Sequence, residues 1–304
     1  MKSSKVLSKY ESACALLPDR LSIPALELAA ERMKRVEEIR LRVGKPVHLT
    51  LPEGELPLPM TRVTGEDLEC VLDRASEFSR YAAEESIRRG FLTARGGYRV
   101  GICGCVRYRN GDSDGFQDVS SLNIRIPCEV EEIARPILPC LLENGKPVST
   151  LIISPPGGGK TTLLRDLVRL VSDGSELSEP MRVSLVDERG EIAAMHRGVP
   201  QLAVGYHTDV MDSCPKSHAI PMLLRAMTPQ VIALDEIALA SDVDALCAAS
   251  NCGVVLFATV HAESVEELAQ RLVLGRLLTC GVFRRVVEIA KQHGKRTYRS
   301  EVLV

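Results

Sequence analysis

The segment 149–171 constrains this chain more than any other. A short apolar run, 149–153, passes directly into Ser154-Pro155-Pro156-Gly157-Gly158-Gly159-Lys160-Thr161-Thr162, and a helix reads from Lys160 to about Val171. A polyphosphate needs many backbone N–H donors converging on it, and only small residues let the backbone wrap that closely. Gly157, Gly158 and Gly159 meet that need. Lys160 supplies positive charge for the β- and γ-phosphates, and the Thr161 hydroxyl supplies a magnesium ligand. The helix that follows points its positive end at the same place. ATP and Mg²⁺ are the expected ligands of the stretch 154–162. Ser154 stands where the usual pattern has glycine.

Further apolar runs deliver polar residues at their ends. The run 231–234 ends in Asp235 and Glu236. At the carboxyl end of a parallel strand, Asp235 is placed to hold magnesium and Glu236 to polarise a water. The run 182–186 leads to Asp187-Glu188-Arg189-Gly190-Glu191, where Glu188 is a candidate for orienting the attacking water. The run 254–259 leads to Thr259 and His261, a polar pair suited to sensing a γ-phosphate. Apolar strands alternating with helices indicate a parallel sheet covered on both faces. The fold class is therefore α/β, with a P-loop core over 128–304.

The first 127 residues read as a separate α+β domain. Residues 5–35 have helical spacing. In 36–47, Ile39, Leu41 and Val43 alternate with Arg40 and Arg42, which marks a half-buried strand closed by a Gly-Lys-Pro turn. The three prolines within 51–60 suggest a surface loop. Thr64 is an N-cap with Asp67 three residues on, for a helix to about Phe78. A second helix reads over 79–89. Gly96-Gly97 marks a turn before hairpin strands in 98–108, 110–118 is a polar loop, and 121–127 is another strand. Residues 128–148 read as a helix broken at Pro136 and Pro139. Rings of P-loop subunits often complete each site with a neighbour's arginine, because charge on the γ-phosphate spreads in the transition state. Arg125 is the first candidate, followed by Arg40 and Arg42.

Composition narrows the partners. A formal net charge of -2 gives no global pull toward nucleic acid or anionic lipid, and aromatics at 4% with no Trp leave no stacking platform for single strands. No apolar run approaches the roughly 20 residues that span a bilayer, and the first 20 residues lack a secretion signal. A cytoplasmic protein is expected, touching a membrane only through partners. Ten cysteines in a chain of 304 residues read as reduced, small buried hydrophobes.

The joint order of 153–169 (ISPPGGGKTTLLRDLVR), 186–193 (VDERGEIA), 205–216 (GYHTDVMDSCPK), 227–237 (MTPQVIALDEI) and 257–262 (FATVHA) resembles the stage III sporulation protein AA family. The segments 37–47 and 97–106 match its amino-terminal half. That family is similar to the type II and type IV secretion ATPases. The resemblance implies a RecA-like ATPase core behind the amino-terminal domain, assembled as a homo-hexamer. It places Asp187, Glu188 and Glu191 in an acidic box, Asp235 and Glu236 in a Walker B site, and His261 in a histidine box. It also implies an ATP-hydrolysing motor of a sporulation channel between mother cell and forespore. That motor would lie on the mother-cell side with membrane proteins of the complex as partners. Ala238, Gly190 and Ala262 depart from the family's usual residues, whereas Ser154 is common in it. On the residues alone two alternatives stay open: a RecA-like ATPase acting on nucleic acid, and a nucleotide-dependent scaffold with little turnover.

Overall fold

The computed structural model describes residues 9–79, 83–109, 111–292 and 295–303. The chain divides into two compact units, Met1–Cys128 with Ala194–Gln201, and Glu129–Ala193 with Leu202–Val304.

The first unit holds helices α1 (Asp19–Leu26), α2 (Ala30–Met33), α3 (Gly65–Ala75) and α4 (Glu84–Arg88). Its strands are β1 (Glu38–Arg42), β2 (Pro46–Leu51), β3 (Gly54–Arg62), β4 (Phe91–Ala94), β5 (Tyr98–Arg109) and β6 (Asp112–Arg125). They form an antiparallel sheet in the order β3-β2-β1-β6-β5-β4. Alternation sorts β1 as its sequence predicts: Ile39 and Leu41 are fully buried in a core with Leu21, Leu68, Val71 and Ile124, while Arg40 and Arg42 lie on the other face. Val43 lies past the strand and is exposed. Thr64 and Asp67 form the reciprocal capping box of α3, which ends at Ala75 rather than 78.

Several expectations here need correction. The helix over 5–35 is broken into residues 9–14, α1 and α2, with Pro18 at the N-cap of α1; residues 5–8 lie outside the described chain. The proline-rich loop 51–60 is largely strand β3. Prolines 57 and 59 are tolerated because β3 is the sheet edge, where an absent N–H costs no ladder bond. The polar loop 110–118 is instead the tip of the long β5–β6 hairpin. Bulges between Cys103 and Tyr108 bend this ribbon, and Gly111 and Gly115 take positive φ. Asn110 itself lies outside the described residues. So do residues 80–82 of the helix read over 79–89, of which α4 is the described part.

The second unit opens without the expected helix over 128–148. Pro136 and Pro139 remove N–H donors within four residues of each other. The segment forms one 3₁₀ turn at Leu138–Leu141 and a short hairpin of β7 (Leu142–Glu143) and β8 (Lys146–Pro147). Buried Asp166 ties this segment down by accepting from the N–H groups of Glu132 (3.1 Å) and Ala134 (2.8 Å).

The sheet of this unit contains β9 (Thr150–Ser154), β10 (Val183–Asp187), β11 (Thr208–Asp212), β12 (Val231–Leu234), β13 (Val255–His261), β14 (Arg285–Gln292) and β15 (Lys295–Val302), in the order β11-β10-β12-β13-β9-β14-β15. All neighbours are parallel except β14 and β15. Strand β11 and the terminal β14–β15 hairpin are not among the strands expected from the sequence. Helix α5 (Lys160–Asp173) packs on β9, β10 and β13. Helices α6 (Lys216–Ala226), α7 (Ala240–Asn251), α8 (Val265–Gln270) and α9 (Gly275–Thr279) bring Ile220, Leu246, Leu268 and Leu277 into one cluster with Leu151, Ile232 and Leu256. Strands β9, β10 and β12 are buried at every position, as expected for a sheet covered on both faces.

None of the ten cysteines forms a disulfide, and Cys14 alone among them is buried. The reading of small buried hydrophobes therefore fails for Cys103, Cys105, Cys128, Cys140, Cys252 and Cys280, which are exposed.

Candidate active site

The glycine loop leaves β9 at Ser154 and enters α5 at Lys160. Gly157 and Gly159 adopt φ of 72° and 104°, a region where side-chain-bearing residues are strained. A Cβ on Gly158 would overlap the Ser154 hydroxyl, and one on Gly159 would lie 2.8 Å from Arg296 Nε of β15. Ser154 is thus no defect. It is buried, its Oγ donates to the Pro155 carbonyl at 3.0 Å, and it packs under the bare face of Gly158. First-turn N–H groups of a helix have no intrahelical acceptors, and at α5 no side chain caps them. Such an end is suited to a polyphosphate.

Parallel strands in the order β10-β12-β13-β9 bring their carboxyl ends together, with His261 in register with Ser154. Lys160 Nζ donates to Ser154 O (2.8 Å), Pro155 O (3.3 Å) and His261 Nδ1 (2.6 Å). An ammonium only donates, so Nδ1 accepts and the imidazole proton sits on Nε2. That nitrogen lies 3.2 Å from Glu236 Oε2, which also accepts from Arg189 Nη1 at 2.9 Å. Burial pulls the Lys160 ammonium down to about 8, against the opposing pull of Glu236.

A second cluster lies at the ends of β10 and β12. Lys216, the first residue of α6, places Nζ 2.6 Å from Glu188 Oε2 and 2.9 Å from Asp235 Oδ1. Burial lifts the Asp235 carboxyl to about 6, although the Lys216 charge pulls it down. Burial also works against the Lys216 charge, but the Asp235 and Glu188 carboxylates outweigh it and hold its pKa above the usual lysine value. In the sequence Lys216 closes the segment 205–216 and carries no expected role. Its signal is a lysine directly after Pro215 at a helix start, which only the third dimension brings to the acids.

Asp187 plays a different part from its neighbours. It is fully buried, and its oxygens accept from the N–H groups of Glu191 (2.9 Å), Ile192 (3.1 Å) and Ala193 (2.8 Å). Arg165 holds the same loop from behind through Ile192 O at 2.6 Å and Glu191 O at 2.9 Å. Asp187 therefore shapes the loop that presents Glu188. Asp187→Ala leaves three backbone donors without their acceptor, at a cost of about 3 kcal/mol. The expected result is a clearly lower urea midpoint; an unchanged midpoint contradicts this role.

Thr161 sits in the first turn of α5, and Thr259 is buried on β13, so His261 is the accessible member of that polar pair. Arg125 belongs to the first unit. There its 64% exposed side chain lies 3.6 Å from Glu38. Among the described residues no His, Cys, Asp and Glu cluster forms a ready-made metal cage. Magnesium fits the site in another way, because buried Asp235 Oδ1 has no aligned hydrogen-bond donor despite its ion pair. Nor is any described helix long and apolar enough to cross a membrane.

The profile of a family described as "Sporulation stage III, protein AA" matches residues 11–299. The chain belongs to this family. Stage III sporulation protein AA of Bacillus subtilis (strain 168) is 40% identical over 282 residues, covering 93% of this chain and 91% of the relative. Among solved structures, the pilus retraction motor PilT with bound ADP superposes with a TM-score of 0.61 at 15% identity, over 88% of this chain and 79% of PilT. The ATPase DotB of Legionella pneumophila gives 0.58 at 15% identity, over 88% of this chain and 76% of DotB. The family member described here thus has a mixed α/β fold like that of PilT and the ATPase DotB.

Proposed function

We propose that this protein hydrolyses ATP as the motor of a sporulation secretion channel between mother cell and forespore. The supporting observation is the contact chain Ser154–Lys160–His261–Glu236, which gathers the glycine loop and two strand ends at one place. In this reading residues 154–162 form the P-loop of a RecA-like core that follows an amino-terminal α+β domain ending near residue 127. Thr161 and Asp235 hold Mg²⁺, which supplies charge neutralisation on the β- and γ-phosphates.

The chain's own residues do the rest. The γ-phosphate draws Lys160 away from the loop carbonyls and from His261. Freed of that donor, His261 is available to the phosphate through Nδ1 once protonated, and through Nε2–H it still orients Glu236. Glu236 polarises the attacking water. Glu188, on the loop shaped by Asp187, is the second carboxylate that orients water. Subunits assemble as a homo-hexamer in which Arg125 of a neighbour completes the site. The ring sits in the cytoplasm on the mother-cell side and meets the membrane through partner proteins of the channel, without nucleic acid.

The ring is tested by mixing. Arg125→Ala subunits keep their own Lys160, and Lys160→Ala subunits keep Arg125. In an equal mixture, random assembly regenerates a competent interface at about a quarter of positions. Turnover well above that of either variant alone is expected. A mixture no more active than the separate variants at any ratio counts against action between subunits. Single-stranded DNA or RNA is expected to leave turnover unchanged, and strong stimulation contradicts the export role.

Nucleotide affinity is also expected to depend on pH. Lys160 must be charged to bind phosphate, and its charged fraction falls as pH rises through about 8. Asp235 must be ionised to take metal, and its ionised fraction falls as pH drops through about 6. Affinity for Mg·ATP, read by titration calorimetry, should therefore peak between these values. In Asp235→Asn the acid-side decline should disappear. A flat profile from pH 5 to 9 contradicts both assignments.

A further inference from the structure

We infer that Lys216 holds the place of the divalent cation in the nucleotide-free site, so that metal engages Asp235 strongly only when a triphosphate arrives with it. The inference rests on the ATPase reading above. Lys216 is 4% exposed, and an ammonium so far from water must be paired. Its partners come from two different strand ends. Glu188 follows β10 and Asp235 follows β12, with Nζ 2.6 Å and 2.9 Å from one oxygen of each.

The two contacts differ in kind. Glu188 Oε2 accepts a directed hydrogen bond, whereas Asp235 Oδ1 is within ion-pair distance but has no aligned donor. A buried carboxylate oxygen whose ammonium contact is poorly aligned is open to a stronger ligand. Asp187 cannot neutralise Glu188 and Asp235, because it is itself an acid, and its oxygens are turned to loop amides.

A single positive charge between buried Asp235 and half-exposed Glu188 does weakly what a divalent ion does strongly. The two cations compete for the same oxygen, and close approach of like charges in a dry site is costly. Lys216 therefore keeps the bare site from filling with metal while preventing repulsion between Glu188 and Asp235. The negative charge of a bound triphosphate shifts the balance toward the metal. The N-terminal end of α6 adds its own positive field at Lys216.

The test is Mn²⁺ binding to the full chain without nucleotide, followed by the electron paramagnetic resonance signal of free Mn²⁺. Wild type is expected to bind weakly. Lys216→Met and Lys216→Gln should each bind tighter by roughly tenfold or more. Lys216→Arg, which keeps the charge, should stay close to wild type. Adding Asp235→Asn to Lys216→Met should abolish the gain. If Lys216→Met fails to fold by circular dichroism, the glutamine variant decides. Mn²⁺ affinity no tighter in the folded charge-removing variants, or a gain that survives Asp235→Asn, overturns the inference. Metal-free nucleotide binding is measured on the same proteins. Its loss in wild type touches the ATPase reading and is read separately from the Mn²⁺ result.

Discussion

Replacing Lys160 with alanine is expected to weaken ATP binding by about 3 kcal/mol, a factor of about 10² in affinity, because the ammonium bonded to the loop is removed from a site suited to phosphate. The effect has a second origin in the loop itself. Lys160 Nζ bridges Ser154 O, Ser154 Oγ and Pro155 O, so its removal frees the carbonyls that shape the turn. The helix N-terminus remains, with its dipole and free N–H groups, so residual weak binding is expected rather than none. Turnover should fall further than affinity, by about 10³-fold, since charge on the γ-phosphate in the transition state loses the same partner. Titration calorimetry and phosphate release separate the two effects. Retained wild-type affinity in Lys160→Ala would count against the P-loop assignment.

Glu236→Gln is expected to show the opposite division. Glu236 does not touch the loop; it is tied to His261 Nε2 and to Arg189. The amide keeps the shape and one acceptor but loses the charge that polarises water. ATP affinity should stay within a few-fold of wild type while turnover drops by about 10²–10⁴-fold, the range for loss of a general base. Glu188→Gln provides the comparison. Its carboxylate is paired with Lys216, so the amide disturbs a buried cation as well as the water. A loss of thermal stability is expected in Glu188→Gln and not in Glu236→Gln. Turnover close to wild type in Glu236→Gln, with Glu188→Gln inactive, would transfer the water-polarising role to Glu188.

The parts of this site that were legible in the sequence share one property: their chemistry is local. The loop 154–162 declares itself because strand, glycines, lysine and helix are consecutive. Asp235 and Glu236 are readable for the same reason, at the end of a four-residue apolar strand. Roles that depend on direction were not readable. Asp187 and Glu188 are adjacent acids at the end of one strand, yet Asp187 turns back to cap its own loop while Glu188 faces Lys216. Nothing in composition distinguishes them. Lys216 lies 28 residues from Glu188 and reaches it only because α6 starts beside the ends of β10 and β12. In the first unit, β1 was legible by alternation. Strand β3 and the tip of the β5–β6 hairpin were not, because prolines and polar residues are allowed on edges and ribbons as freely as in loops. The helix expected over 128–148 failed for a reason visible in the sequence itself. Two prolines three residues apart leave too few N–H donors for a helix.

Steady-state phosphate release by purified protein with Mg·ATP, wild type beside Lys160→Ala and Glu236→Gln, tests the central claim most directly. The expected result is turnover in wild type that both variants lose, with ATP affinity kept in Glu236→Gln and lost in Lys160→Ala. Tight ATP binding by wild type without turnover, or turnover that survives both substitutions, would contradict it.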